Sequence, residues 1–411
     1  MKLRIVFHLK NDSGKLISTL DSPDQSAYGL PVGETAYNHP KLIFAMPNLG
    51  AKFDGTVNEA ITEIKGVFRQ GGMDMPLLLT RQAIEMPAMK RPQEPKPPFP
   101  YLEQEVFFVN KTAGDTLAGT LTLPRKEGKF PVVVLVSGSG PQDRNEELLG
   151  HKPFLVLADH LTRQGIAVLR YDDRGVGKST GKFSGCTSED FAADALAAVA
   201  WLKTRPEIDP KKIGIAGHSE GGLIAPMCAV QSKDVAFIVL LAGTGVDGEA
   251  VLLKQFELIY GANGMEEEKL KKELATSAQE FQLIKTVKDT AQLRLKLKAF
   301  LEKEYSNLPE GERKSADDLQ KQIKDEIDLL TSPWFSFFIR YDPKVSLEKV
   351  KCPVLALNGE KDLQVEPKSN LTGIRAGLEK AGNKQFVVKE LPGLNHLFQA
   401  CETGSPAEYS M

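Results

Sequence analysis

The sequence predicts an α/β protein. A mainly parallel sheet is interrupted by a helical insertion and preceded by a small antiparallel β module. Three observations carry this. From about residue 101, short apolar runs alternate with amphipathic helical patterns, the grammar of a parallel sheet with crossover helices. Residues 1–80 instead hold close-set, partly alternating stretches separated by Gly, Asn, Asp and Pro. Residues 247–342 break the alternation with charged, helix-forming sequence.

In the first module, "LRIVFHLK", "GKLISTLDS", "KLIFAMP", "AKFDGTV", "AITEIKGVFRQ" and "MPLLLTR" read as strands of an antiparallel meander or barrel. The opening "MKLRIVFHLK" is an alternating strand already under way. It lacks the long apolar stretch and small-residue cleavage site of a secretory leader. A cytoplasmic protein fits that start, and so does a chain whose leader has been removed. Residues 81–100 carry six prolines between Pro87 and Pro100, which predicts an extended, semi-rigid linker.

The core is expected over 101–246 and 343–411. "EVFFVN" and "TLAGTLTLP" predict a hairpin, and "FPVVVLVSGSG" a strand buried on both faces. "PFLVLADHLTRQG" reads as a helix and "IAVLRYDDRG" as a strand. "SEDFAADALAAVAWLKTR" is a helix with Ser188 as candidate N-cap. "KIGIAGHS" runs as a strand into the helix "GGLIAPMCAVQ", and "VAFIVLLAG" follows as a strand. After the insertion, "CPVLALNGEKD" and "KQFVVKELPG" resume the sheet. Within the insertion, "EEEKLKKELATSAQEFQLIKTVKDTAQLRLKLKAFLEKEY" reads as a long helical run and "SADDLQKQIKDEIDLL" as a second helix. The aromatic stretch "SPWFSFFIRYDP" closes it. A solvated excursion is the plain alternative to a cap, in which Trp334, Phe335, Phe337 and Phe338 face a substrate pocket.

Composition excludes several classes. Over 411 residues the formal net charge is −2, so nothing draws the chain to nucleic acid or anionic membrane. No apolar run reaches the ~18 residues of a membrane span. Cys186, Cys228, Cys352 and Cys401 lack metal-ligand spacing, so no zinc or other metal is expected; their disulfide state is not readable.

Chemistry centres on "GIAGHSEGG". The strand "IGIA" feeds directly into Gly217-His218-Ser219-Glu220-Gly221, and a helix pattern follows at once. Strand, tight turn and helix are the context of a nucleophile elbow, which projects a serine above the sheet. In the chain order serine, acid, histidine, the base must follow Ser219. Of His8, His39, His151, His160, His218 and His396, only His396 does. His218, adjacent to the serine, reads as structural. Asp362 lies just past the strand "PVLALN", at the strand end where such sheets place function, and is the candidate acid, with Glu360 a weaker alternative. An oxyanion needs two backbone N–H donors. Glu220 is one candidate and Ser139 in "VSGSGPQDR" the other, with Gly138 next to it. "YDDRGVGKS" lacks the first glycine of a phosphate loop and reads as a turn with Arg174 paired to a carboxylate.

Residues 101–411 resemble the α/β-hydrolase superfamily. The closer likeness is to bacterial serine esterases related to acylaminoacyl-peptidases and dienelactone hydrolases. "LAGTLTLP", "VSGSGPQDRNE", "YDDRGVGKSTGKF", "GHSEGG", "LNGEKDLQV" and "LPGLNHLFQ" carry it, and "LISTLDSPDQSAYGLPV" resembles the N-terminal β module of one carboxylesterase group. The resemblance implies a Ser219–Asp362–His396 triad and an oxyanion hole at Ser139 and Glu220. Many relatives have His where Ser137 stands, a departure expected to tune the oxyanion loop. The resemblance also implies a further strand and a leader, hence a periplasmic or secreted protein with its leader removed.

The expected activity is hydrolysis of acyl esters, preferentially short-chain, through an acyl-enzyme and without a cofactor. A peptidase or acyl-transferase on the same triad is the first alternative. A binding module with a vestigial triad is the second. The β module is expected to support stability or homodimer contacts.

Overall fold

The computed structural model describes residues 4–12, 15–22, 27–46, 50–70, 73–81, 91–306 and 316–409. The chain divides into two compact units at Arg91/Pro92.

In the first unit, β1 (Val6–Asp12), β2 (Lys15–Ser22) and β3 (Ala27–Pro31) form one antiparallel sheet. A second contains β4 (Glu34–Asn38), β5 (Lys41–Met46), β6 (Ala51–Val57), β7 (Glu63–Gln70) and β8 (Met73–Thr80), paired in sequence order. Strand alternation explains the packing. Leu42, Phe44 and Met46 of β5 and Ala51, Phe53 and Val57 of β6 point one way and are buried together with Leu20 of β2. The sequence reading missed β3 and β4, because Gly29, Pro31 and Gly33 read as turn punctuation. Of the proline-rich stretch, residues 82–90 lie outside the described residues. From Pro92 the chain belongs to the second unit, where Phe99 stacks on the buried Tyr101 with ring centroids 5.1 Å apart.

The second unit is built on β9 (Leu102–Asn110), β10 (Asp115–Leu123), β11 (Phe130–Val136), β12 (Ala167–Tyr171), β13 (Ile208–His218), β14 (Phe237–Leu241), β15 (Val354–Gly359) and β16 (Phe386–Leu391). Their order is β16-β15-β14-β13-β11-β12-β10-β9. The strands from β11 to β16 pair in parallel, while β9 and β10 are antiparallel additions at one edge. This is the α/β-hydrolase arrangement expected from sequence. The apolar run of β11 is explained by burial on both faces. Val132, Val134 and Val136 enter one core, and Val133 and Leu135 enter another with Phe154 and Ala158 of α1 (Pro153–Arg163). On the first face lie α2 (Ser188–Leu202) and α3 (Glu220–Gln231). The N-cap of α2 is Thr187, in a capping box with Asp190, and not Ser188. Arg174 pairs at 2.7 Å with Asp194 of α2, both buried. The four cysteines are free thiols.

Between β14 and β15 come α4 (Gly248–Ala262), α5 (Glu267–Thr286), α6 (Thr290–Ser306), α7 (Ala316–Leu330) and α8 (Pro333–Arg340). After them the chain continues as α9 (Lys344–Leu347) and, past β15, α10 (Pro367–Lys380). The long helical run read from sequence is broken at 287–289, where Asp289 accepts the Gln292 N–H and opens α6. Arg340 closes the break by donating to the carbonyls of Ile284 and Val287 at the end of α5. Phe281, Ile284, Leu293, Leu297, Leu301, Ile323 and Ile327 give this insertion a core of its own. Helix α8 belongs to two cores: Phe335 and Ile339 pack in the insertion, Phe338 against the sheet. No helix among the described residues is long and apolar enough to cross a membrane.

Candidate active site

Chain order places the loops after β11 and β13 side by side. β11 pairs with β12 on one side and β13 on the other, so the connections reverse there, and that is where such sheets open a crevice. Ser219 occupies the turn from β13 into α3 with φ 53° and ψ −114°, a left-handed conformation that costs energy for a residue with a side chain. The flanking glycines have no alternative. A Cβ on Gly217 would lie 1.9 Å from the Gly221 carbonyl oxygen, and one on Gly221 would lie 2.1 Å from that of Val136. Strand, helix and neighbouring strand therefore close on the turn, and the serine is left partly exposed.

His396, buried in the loop after β16, places Nδ1 2.7 Å from Oδ2 of the buried Asp362. The other oxygen of Asp362 accepts the N–H groups of Gln364 and Val365 at 2.8 and 2.9 Å, fixing the carboxylate after β15. Glu360 is turned elsewhere and accepts the Gly393 N–H. Asn395 accepts from the backbone of Leu397 and Gln399 and so shapes the histidine loop. With Nδ1–H donated to Asp362, Nε2 of His396 is left as an acceptor. Ser219 Oγ makes no hydrogen bond to His396 in this structure. The two loops are joined through the residue before the serine. His218 Nε2 lies 3.0 Å from the His396 carbonyl oxygen, and the two rings lie 4.8 Å apart.

The loop after β11 stands against the elbow: a Cβ on Gly138 would lie 3.2 Å from that of Ser219. The Gly138 N–H is taken by Glu146 Oε1 at 2.7 Å, which removes Gly138 as an oxyanion donor. The amides of Ser139 and Glu220 donate to no acceptor among the described residues. Glu220 also carries a buried side chain. Its Oε1 accepts from Ser188 Oγ at 2.6 Å and from Trp334 Nε1 at 2.8 Å, while Oε2 has no partner. Burial raises its pKa, and the two donors hold that rise back. Ser188, read from sequence as a helix cap, thus serves the elbow instead.

Asp173 lies beside the same loop. Burial lifts its carboxyl, and Glu220 and Asp194 add to the rise; hydrogen bonds from the Gln142 N–H and the Ser137 hydroxyl oppose it, and the result is about 7. It lines, with Gly138 and Glu220, a narrow cavity of about 10 Å³, the room of one water. Of the aromatic residues expected to face a pocket, Trp334 reaches the elbow through its indole N–H and stacks on Phe338, 5.5 Å away. Phe335 is committed to the core of the insertion, Phe338 to that of the sheet, and Phe337 stacks on Tyr341. Sequence reasoning missed Glu146, Ser188 and Asp173; Glu146 sits in plain view within "VSGSGPQDRNE".

Residues 113–380 match the family described as X-Pro dipeptidyl-peptidase (S15 family). Among similar proteins is the Thermotoga maritima protein named esterase EstD, 27% identical over 312 residues, which cover 75% of this chain and 65% of that one. The chain thus spans just under two thirds of that relative. Human dipeptidyl peptidase 8 is 32% identical over 156 residues, 36% of this chain and 17% of its own. Among solved structures, the Pyrococcus furiosus esterase Pf2001 aligns with a TM-score of 0.44 at 16% identity, covering 72% of this chain and 83% of that one.

Proposed function

The chain belongs to the X-Pro dipeptidyl-peptidase (S15) family, and from that premise we propose that it is a serine hydrolase that cleaves carboxylic esters through an acyl-enzyme. The observation that carries this reading is the buried Asp362–His396 pair, 2.7 Å apart, beside an elbow serine held at φ 53°. The EstD relative, named an esterase, supports the choice of substrate class.

Ser219 Oγ attacks the ester carbonyl while His396 Nε2 takes its proton. Asp362 keeps the imidazole in the tautomer that leaves Nε2 free and stabilises the imidazolium that forms. The amides of Ser139 and Glu220 hold the oxyanion of the tetrahedral intermediate. Collapse breaks the bond to the leaving alcohol, which receives the proton from His396. Water, deprotonated by His396, then attacks the acyl-enzyme, and the carboxylic acid departs with Ser219 restored. Serine–histidine contacts of this kind are often long without substrate and tighten in the reacting complex. The insertion over 247–342 acts as the cap, and Trp334 ties it to the elbow.

A second reading, cleavage of peptide amides, is favoured by the family description and by the dipeptidyl peptidase segment. Hydrolysis of p-nitrophenyl esters from acetate to laurate, run beside an aminoacyl- and an X-Pro-anilide, decides between them. Ester turnover is expected, best at short chains, and Ser219→Ala should lower kcat on the order of 10³-fold or more at unchanged folding. Retention of most activity in that variant would sink the proposal. Anilide turnover matching ester turnover would move the assignment to a peptidase.

A further inference from the structure

Three loops must be held in register for this chemistry: the one after β11, the elbow after β13 and the base loop after β16. One buried carboxylate and one buried imidazole touch all three. Glu146 is 6% exposed and sits at φ 51°, a conformation its surroundings must impose. Its Oε1 accepts the Gly138 N–H of the first loop at 2.7 Å and faces His218 Nδ1 of the elbow at 3.0 Å. The other ring nitrogen of His218 faces the carbonyl oxygen of His396 at 3.0 Å. A carboxylate on one edge and a carbonyl on the other are both acceptors. Only an imidazolium, with two N–H groups, satisfies them together.

We infer that Glu146 and His218 form a buried charged brace that sets the oxyanion loop and the base loop jointly around Ser219, as positioning residues for the proposed hydrolysis. The inference rests on the serine-hydrolase reading. A neutral His218 has one N–H and keeps one tie, so either the oxyanion side or the base side is released. The surroundings of His218 favour the charged form. Burial pushes its pKa down, but Glu146, the His396 carbonyl and the more distant Asp362 more than offset this and bring it up to about 9. Among the described residues the titratable ring of His396 also faces it, 4.8 Å away. Since the folded value lies above the ordinary 6.5, the brace is intact below that value and is lost as pH rises through about 9.

The test combines ¹⁵N-histidine NMR of the full chain with kcat–pH profiles on p-nitrophenyl acetate and labelling of Ser219 by a fluorophosphonate. In the wild type, His218 should be doubly protonated at neutral pH, and kcat should fall on an alkaline limb that coincides with its titration. Glu146→Gln keeps an acceptor for Gly138 but removes the charge. It should lower kcat on the order of 10- to 100-fold with little change in KM and move the alkaline limb to lower pH. Glu146→Asp should restore part of both. A merely structural role would lower thermal stability and leave the limb in place. Wild-type kinetics in Glu146→Gln, or a His218 that is neutral at neutral pH, overturns the inference. Should Glu146→Gln fail to fold, the wild type decides alone, since a His218 titration that does not track the limb is equally fatal. An unreactive Ser219 in the wild type overturns the hydrolase reading and this inference with it. A fully labelled Ser219 with unchanged Glu146→Gln kinetics overturns the inference alone.

Discussion

Trp334→Phe isolates the polar link between α8 and the elbow. The phenyl ring can keep the stack on Phe338, but the indole N–H that reaches Glu220 at 2.8 Å is gone. Glu220 then retains the Ser188 hydroxyl as its one side-chain partner, and its Oε2 is already unpartnered, so nothing stands ready to take over. A hydrogen bond to a charged group is worth about 1.5–3 kcal/mol. If that energy holds α8 down, hydrogen exchange in peptides covering 333–340 should speed up by roughly 10- to 150-fold, the same free energy expressed as an opening equilibrium. The smaller ring also removes some buried area, so the bond is separated by a cycle with Glu220→Met. The coupling between the two changes should be about 1.5–3 kcal/mol, because the area term cancels in the cycle. A coupling near zero, with α8 protected as in the wild type, would refute the view that Trp334 clamps α8 through Glu220.

Three further outcomes follow from the same geometry. Asp362→Asn presents an amide N–H to His396 Nδ1 and favours the wrong tautomer, so kcat should fall on the order of 10⁴-fold with the fold intact; a loss under about tenfold would argue against Asp362 as the orienting acid. Gly217→Ala places a methyl group 1.9 Å from a backbone oxygen, and a soluble variant with wild-type kcat would contradict the closed elbow. The Asp173 carboxyl stands at about 7 in the folded chain against an ordinary 3.8, so the stability it contributes at low pH is lost as pH rises through about 7. Asp173→Asn should therefore gain in Tm relative to the wild type as pH is raised across that interval, and a pH-independent difference in Tm would count against the raised value.

The sheet was legible because its strands are buried on both faces and show as apolar runs, as in "FPVVVLV". Ser219 and His396 were legible for a different reason: the glycines at 217 and 221 are sterically required, and no other histidine follows the elbow. What stayed hidden depends on side chains meeting across long chain separations. Glu146 and His218, 72 residues apart, carry no periodicity or spacing that links them. Ser188 stood where a helix cap is expected, and its local pattern gave no sign that its hydroxyl crosses to Glu220. The break at 287–289 was hidden because neither Gly nor Pro marks it. The carbonyls it exposes are satisfied by Arg340, far along the chain.

The double allegiance of α8 limits how this architecture can be recombined. A chimera that exchanged the whole stretch 247–342 for a foreign cap would carry away Phe338, a piece of the sheet's own core, together with the indole that reaches the elbow. The recipient would inherit a hole in the core of its sheet. The natural seam lies at Thr331–Ser332, where α7 has ended and the Ser332 hydroxyl caps α8. A foreign replacement for α5, α6 and α7 would therefore have to offer α8 the same partners: an apolar face for Phe335 and Ile339 and two carbonyls for Arg340.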